Sequence, residues 1–262
     1  MENANKLKRK LEQGQFCLGA GISFNDGAIT EALCQVYDFA WIDTEHNGMT
    51  LERVEGHIVA TRVTGATALV RVPWNDPVLV KPVLDLGADG IIFPMIRTAE
   101  DVRNAVAACL YPPEGIRGYG PRRPTNYTRT GGSDYCRRAN QSVLTVVQIE
   151  TAEAVENLDE IVAVPGLTSV VIGPNDLSGS LGHMADPGHP EVVEVIESII
   201  ERVRRSSVYV GIAIGSDPEQ AIRWMEKGVH WLQFGVDFGL MVERADLVCG
   251  MVRDHAEARR KG

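Results

Sequence analysis

Cysteine is scarce in this sequence and follows none of the spacings that make it structural. The chain of 262 residues has five cysteines, an odd number, at wide separations and without a CxxC pair. This pattern disfavours a disulfide framework and a zinc-finger site, and it fits a reducing cytoplasm. Long apolar runs are missing too, because none approaches the roughly 18 residues that a membrane span requires. We therefore expect a soluble cytoplasmic protein that does not bind a membrane.

Positive charge is in the minority, with 26 Lys and Arg against 35 Asp and Glu, which gives a formal net charge of −9. An acidic surface works against non-specific binding to nucleic acid, although a local cationic site can still take an anionic substrate. Lysine is absent from all the apolar runs, so a catalytic Schiff base is disfavoured. The GxSxG, HExxH and P-loop motifs do not occur.

What the sequence does have is eight short apolar runs separated by longer amphipathic segments. Most runs are continuous rather than alternating, which is typical of parallel strands covered on both faces. The length is close to the roughly 250 residues of one α/β barrel. The pattern predicts a single (β/α)8 TIM-barrel domain over residues 1–262, with a doubly wound open sheet as the alternative. The predicted strands are CLGAGIS from Cys17, FAWIDTE from Phe39, TALVRVP from Thr67, GIIFPMI from Gly90, TVVQIE from Thr145, SVVIGP from Ser169, YVGIAI from Tyr209 and WLQFGVD from Trp231.

The amphipathic segments carry the signals of helix starts, such as the TAED capping box from Thr98 and the cap residue Asp217 before a proline. An extra segment, residues 5–13, precedes the first strand and is expected to cap the bottom of the barrel. The last segment, residues 240–259, is long for a final barrel helix. We expect it to be exchanged with a neighbouring subunit through an apolar stripe that includes Leu240, Val242, Leu247 and Met251.

Charged and amide side chains follow several predicted strands, at the carboxyl ends where barrel enzymes carry their active sites. A purely structural barrel would place mostly Gly, Asn and Ser at these turns. Here the strand ends hold Asp43, Glu45, His46, Arg71, Gln148, Glu150, Asp176 and Asp237.

Glu150 and Asp176 follow adjacent strands, so their carboxylates can meet at one ion. Ligation by oxygen alone suits a hard divalent cation whose other positions hold water and substrate. The alternative is an ion pair between Glu150 and Arg71, with Asp176 capping the next helix.

His46 lies close in sequence to Asp43 and Glu45, which suits either an oriented general base or a structural histidine at a strand end. Arg71 suits a substrate carboxylate or a developing enolate oxygen, and it also suits charge balance for Glu150 or Asp43.

Two further segments have open roles. Residues 173–177 (GPNDL) could present successive backbone N–H groups to a carboxylate. The glycine-rich loop from Gly115 is basic through Arg117, Arg122, Arg123 and Arg129, and it is either an anion-facing lid or a solvated loop that faces a partner. The remaining histidines lack metal-ligand spacing and are expected to be surface or structural residues: His57, His183, His189, His230 and His255.

Five segments carry a resemblance to a known family: DTEHNGM from Asp43, VRVPWNDPVLVKPVLDLGADGIIFPMI from Val70, YPPEGIRGYG from Tyr111, VQIETAEAVENLDEI from Val147 and VIGPNDLSGSLG from Val171. Together they resemble the HpcH/HpaI aldolases, the class II, metal-dependent pyruvate aldolases, and the match runs nearly end to end. The resemblance implies that Glu150 and Asp176 bind the metal. It also implies that His46 is the catalytic base with Asp43 as its partner, and that Arg71 polarises the pyruvate carbonyl.

The resemblance further implies that Gln148, Gly173, Pro174 and Asn175 bind the substrate, with backbone amides near Asn175 and Asp176 forming the cradle of the pyruvate carboxylate. Asp85 matches an acidic residue that family members present to a neighbouring subunit's site. Members are typically homo-hexamers, built as trimers of dimers with the last helix exchanged. The sequence departs from the family over residues 121–135 and 183–189, which leaves the aldehyde open.

The implied activity is reversible retro-aldol cleavage of a 4-hydroxy-2-oxo acid to pyruvate and an aldehyde, with Mg2+, Mn2+ or Co2+, through a pyruvate enolate. A CoA-thioester lyase of the malyl- or citramalyl-CoA type is one alternative. Oxaloacetate decarboxylation of the macrophomate-synthase kind is another. A non-catalytic metabolite-binding barrel is the alternative outside enzymes, but such a protein would tolerate losing the base at His46.

Overall fold

Eight parallel strands follow one another around a closed barrel, and the last strand pairs with the first. The structure is a computed structural model, and it describes residues 2–261. Each predicted apolar run forms a strand, which confirms the predicted (β/α)8 barrel. The strands are β1 (Cys17–Ile22), β2 (Phe39–Asp43), β3 (Thr67–Arg71), β4 (Gly90–Phe93), β5 (Leu144–Ile149), β6 (Ser169–Ile172), β7 (Tyr209–Ile214) and β8 (Trp231–Val236).

Helices connect successive strands and pack on the outside of the barrel. The predicted capping box is present, because the Thr98 hydroxyl accepts from the N–H of Asp101 while the Asp101 carboxylate accepts from the N–H of Thr98. Asp217 also caps its helix as predicted. The helices are α1 (Glu2–Glu12), α2 (Gly27–Leu33), α3 (Leu51–Thr64), α4 (Pro77–Leu86), α5 (Ala99–Cys109), α6 (Ser133–Ser142), α7 (Ala152–Glu156), α8 (Leu158–Val162), α9 (Pro174–Ser180), α10 (Pro190–Val203), α11 (Pro218–Lys227) and α12 (Asp237–Lys261), with one 3-10 turn at Arg123–Thr125.

Large aromatic side chains fill the amino end of the barrel. The rings of Phe39 and Trp231 meet edge to face, with their centroids 5.4 Å apart. The opposite strand positions are glycines, since a Cβ on Gly19 would lie 2.0 Å from the Phe39 ring and one on Gly211 would lie 2.2 Å from the Trp231 ring. Helix α1 buries Leu7 and Leu11 against the same cluster, so the predicted cap at the barrel bottom is confirmed.

Helix α12 is 25 residues long and starts directly after β8. Beyond its first turn nearly every residue is exposed, so most of the helix does not pack on its own barrel. The exposed apolar side chains on it are Phe238, Met241, Val242, Leu247, Val248, Met251 and Val252. Among residues 2–261, none of the helices is both long enough and apolar enough to cross a membrane.

Candidate active site

A cavity of about 400 Å³ opens at the carboxyl end of the barrel. Seven of the residues singled out in the sequence line it: His46, Arg71, Gln148, Gly173, Pro174, Asn175 and Asp176. Asp43 and Glu150 are buried, at 7% and 2% exposure, and they reach the cavity wall through their contacts with Arg71 and Gln148. The fold therefore brings residues from four strand ends to one place.

Arg71 ends β3 and connects the charged groups of this site. Its Nε donates to Asp43 Oδ1 at 2.8 Å, and its Nη1 lies 3.0 Å from Glu45 Oε2 and 3.3 Å from Gln148 Oε1. The guanidinium also lies over the Trp41 ring, 5.3 Å from its centroid. Burial alone would lower the pKa of Arg71, but the hydrogen bond and charge of Asp43, together with the charges of two glutamates, raise it above its ordinary value. Arg71 is therefore a fixed cation.

Glu150 follows β5 and is held on both sides. Its Oε1 accepts from the N–H of Met95 at 2.6 Å, and its Oε2 accepts from Gln148 Nε2. Burial raises the pKa of Glu150 to about 7, with further contributions from the negative charges of Asp176 and Glu45. A buried carboxylate beside two others is costly unless a cation joins them, so this donor set of carboxylate oxygens fits a hard divalent ion.

Gly173 leaves room for Glu150. A Cβ on Gly173 would lie 2.8 Å from Glu150 Oε2, so any other residue would displace the carboxylate. Helix α9 starts at the next residue, Pro174, and the first N–H groups of a helix have no partner within it. Because proline has no N–H, the amides of Asn175 and Asp176 are the first available donors at the cavity.

His46 lies in the loop after β2, with its side chain 64% exposed. The sequence resemblance pairs it with Asp43, but the structure places Glu45 beside it instead, with His46 Nε2 3.6 Å from Glu45 Oε2. Asp43 is engaged elsewhere, because its two oxygens accept from Arg71, from the backbone of Glu45 and from Asn47. Burial raises the pKa of Glu45 to about 6, with Asp43 and Asp176 adding to the effect against the attraction of Arg71.

Three other residues singled out in the sequence do not line the cavity. Asp85, on α4, pairs with Arg117 at 2.8 Å and does not line the cavity of its own subunit. Arg117 is only 5% exposed and lies over the Tyr111 ring, 4.4 Å from its centroid, so at this position the expected lid or solvated loop is wrong. Asp237 has a structural role, since it accepts from the N–H groups of Ser23 and Phe24.

The remaining cavity wall was missed by reasoning from strand ends. Trp41 and Gln233 both line the cavity, and a signal for each was present. Trp41 shares a face with Asp43 because side chains two apart on a strand point the same way, and Gln233 interrupts an apolar run. Gly215 follows β7 at the wall, and a Cβ there would meet no heavy atom within 4 Å. The other lining residues are Pro187, Ile196, Ala213, Ile214, Gln220, Trp224 and Val236.

Comparison with known proteins identifies the family of this chain. The family described as HpcH/HpaI aldolase/citrate lyase matches residues 22–243. This chain belongs to that family. The family resemblance inferred from the five sequence segments is thereby confirmed.

Individual family members match nearly the whole chain. A 4-hydroxy-2-oxo-heptane-1,7-dioate aldolase of Escherichia coli is 36% identical over 265 residues, covering 100% of this chain and 99% of the relative. A hydroxypyruvate/pyruvate aldolase of Roseovarius nubinhibens is 35% identical over 92% of this chain and 94% of its own. The crystal structure of a HpcH/HpaI aldolase/citrate lyase family protein from Burkholderia cenocepacia superposes with a TM-score of 0.90 at 31% identity, covering 95% of this chain and 99% of that one.

Proposed function

We propose that this HpcH/HpaI family member is a metal-dependent aldolase that cleaves a 4-hydroxy-2-oxo acid to pyruvate and an aldehyde, and that also runs in reverse. The observation that carries the proposal is the meeting of a fixed cation, Arg71, an exposed imidazole, His46, and a buried carboxylate, Glu150, around one cavity. The aldolase names of the full-length relatives support the same reaction class.

Glu150 and Asp176 are the residues that would hold the metal, since their oxygens suit Mg2+, Mn2+ or Co2+. Bound there, the ion would act as a Lewis acid toward the 2-oxo acid and lower the energy of negative charge on its keto oxygen.

The chain's own groups bind and orient the 2-oxo acid. The N–H groups of Asn175 and Asp176 are placed to donate to its carboxylate at the start of α9, with Gly173 and Pro174 shaping that wall. Arg71 donates to the keto oxygen, where charge increases as the carbon–carbon bond breaks. Gln148 holds both Glu150 and Arg71 in place, because its amide hydrogen-bonds to each of them.

His46 moves the proton. It takes the proton of the C4 hydroxyl as the C3–C4 bond breaks and the aldehyde forms, and it returns a proton to C3 of the enolate to give pyruvate. Glu45 and Asp43 support this role indirectly, since they hold Arg71 and the loop that carries His46.

Metal dependence is the direct test. EDTA should abolish pyruvate release, and Mg2+, Mn2+ or Co2+ should restore it in the wild type but not in Glu150→Gln or Asp176→Asn, both of which should lose bound metal by elemental analysis. Glu153→Gln, at an exposed carboxylate on α7, is the matched control and should keep both metal and activity. Full activity after exhaustive chelation, with no metal detected, would overturn the proposal.

Assembly is the second element of the proposal. We expect a homo-hexamer, a trimer of dimers in which α12 packs on a neighbour and Asp85 reaches a neighbour's cavity. The apolar side chains of α12 support this, since many of them are largely exposed on their own barrel. Light scattering should give a particle several times the 28.6 kDa chain mass, and truncation before Leu247 should reduce it. A clean monomer at micromolar concentration would contradict the assembly and leave the chemistry untouched.

A further inference from the structure

A second cluster of metal-binding side chains lies outside the candidate active site. His183 and His189 were expected to be surface or structural residues, but the fold brings one ligand atom of each, and one of Glu191, within 4.8 Å of one another. His183 Nε2 lies 2.7 Å from Glu191 Oε2, and the two imidazole rings stack with centroids 3.5 Å apart and planes 15° apart.

Backbone hydrogen bonds fix the positions of these three residues. Asp186 N–H donates to the His183 carbonyl at 3.0 Å, and His189 N–H donates to the Asp186 carbonyl at 3.1 Å, so His183 begins the first of two successive turns and His189 ends the second. His189 is the N-cap of α10, and Glu191 lies in the first turn of that helix. The cluster is therefore held by main-chain structure, while its side chains reach solvent.

We propose that His183, His189 and Glu191 form a second metal site, selective for a borderline transition-metal ion such as Zn2+. Two imidazoles and one carboxylate, with water as the fourth ligand, form a known tetrahedral zinc donor set. Mg2+ prefers oxygen ligands alone and would not compete here. This site is separate from the proposed aldolase site, and the inference does not depend on the proposed aldolase activity.

The hydrogen bonds of the cluster suit a cation, because each imidazole ring already places a nitrogen beside a polar atom of Glu191. His189 Nδ1 already accepts a long hydrogen bond, 3.3 Å, from the N–H of Glu191, so this nitrogen carries no proton. The ion would take the place of the proton between His183 Nε2 and Glu191 Oε2, and a neutral His183 ring would then carry its proton on Nδ1.

The separations also approach those of a tetrahedral site, where ligand atoms about 2.0 to 2.1 Å from zinc lie roughly 3.3 Å from one another. Stacked rings direct their lone pairs side by side, so the His183 ring must turn to point at the ion. It can do so because it belongs to a turn and its Glu191 partner is 59% exposed. The ion would then tie the turn to α10, and Pro187 and Ile196 of this unit line the active-site cavity.

Zinc binding is measured in a Glu150→Gln/Asp176→Asn background, so that the proposed active-site metal does not contribute. This full-length variant should bind one equivalent of Zn2+ by competition with a chromophoric chelator and give a tetrahedral Co2+ absorption spectrum. Added His183→Gln or His189→Asn should lower the affinity at least tenfold; the latter keeps an N-cap acceptor. Added His255→Gln, at an exposed histidine on α12, should change nothing.

Circular dichroism melts establish that each variant is folded. The inference is overturned if the background variant binds no Zn2+, or if His183→Gln and His255→Gln bind it equally. Because all readouts are independent of turnover, failure here leaves the aldolase proposal standing, and failure of the aldolase assay leaves this site standing.

Discussion

The two ends of the barrel are made by the same eight strands, yet they are filled in opposite ways. The amino end holds Phe39, Trp231 and the apolar face of α1, with glycines where the rings need space. The carboxyl end holds Arg71 and Glu150 around an open cavity, and burial raises the pKa of Glu150 to about 7. The comparison indicates that one end supplies stability while the other gives up stability to keep charged groups out of water.

The largest expected effects lie at the carboxyl end. His46→Ala should lower aldol cleavage by roughly 100- to 10,000-fold, the span of general acid–base catalysis. Oxaloacetate decarboxylation forms the same enolate without removing an alcohol proton, so His46→Ala should impair it less. Arg71→Ala should lower both activities by roughly 100- to 1000-fold, because it removes a donor to the enolate oxygen.

The measurement is the ratio of the two activities in each variant, with bound metal determined alongside. His46→Ala should keep its metal, since imidazole is not among the proposed ligands at this site. Equal loss of both activities in His46→Ala, or loss of its metal, would remove His46 from the role of base.

Substitutions at the amino end of the barrel should instead lower stability and leave turnover unchanged. Leu11 is 6% exposed against the aromatic cluster, and Leu11→Ala should lower the free energy of unfolding by about 2 to 5 kcal/mol. The kcat of the folded enzyme should be unchanged, since no catalytic group contacts α1. Glu12→Ala, at the exposed neighbouring position, is the control and should change stability by less than about 0.5 kcal/mol. A fall in kcat with Leu11→Ala, measured under fully folded conditions, would show that the two ends are coupled.

The smallest effect is a dependence of stability on pH. The folded pKa of Glu150 lies above its ordinary value of 4.5, so the native state holds this proton more tightly than the unfolded chain does. The stability that Glu150 contributes is therefore complete below pH 4.5 and is lost as the pH rises to about 7. With the metal removed by a chelator, the Tm of the wild type should fall relative to that of Glu150→Gln as the pH rises from 4.5 to about 7. Plots of Tm against pH that run parallel for the two proteins would contradict this prediction.

The fold followed from local pattern to a large extent. All eight apolar runs became strands, and the caps at Thr98 and Asp217 formed as expected, because these signals depend on neighbours in sequence. The predicted start of the first helix, at residue 5, was three residues late, since α1 begins at Glu2. Helix ends without a strong cap are set by packing, in this case against the barrel bottom.

The site was predictable only where strand ends determined it. Arg71 and Gln148 follow from position on a strand, since parallel strands end together. Glu45 beside His46 and the buried pairing of Arg117 with Asp85 did not follow, because loops set these contacts. The meeting of His183 with Glu191 arises likewise from turns that apolar periodicity does not encode.

Gly215 is a position at which the shape of the active-site cavity can be redesigned. Its position at the cavity wall has open space where a side chain would begin, whereas Gly173, after the neighbouring strand β6, has none because Glu150 lies against it. A residue introduced at 215 would meet the substrate before it met the rest of the protein. Of the two glycines, position 215 is therefore the one that directed evolution can vary, and position 173 is the one that it must leave alone.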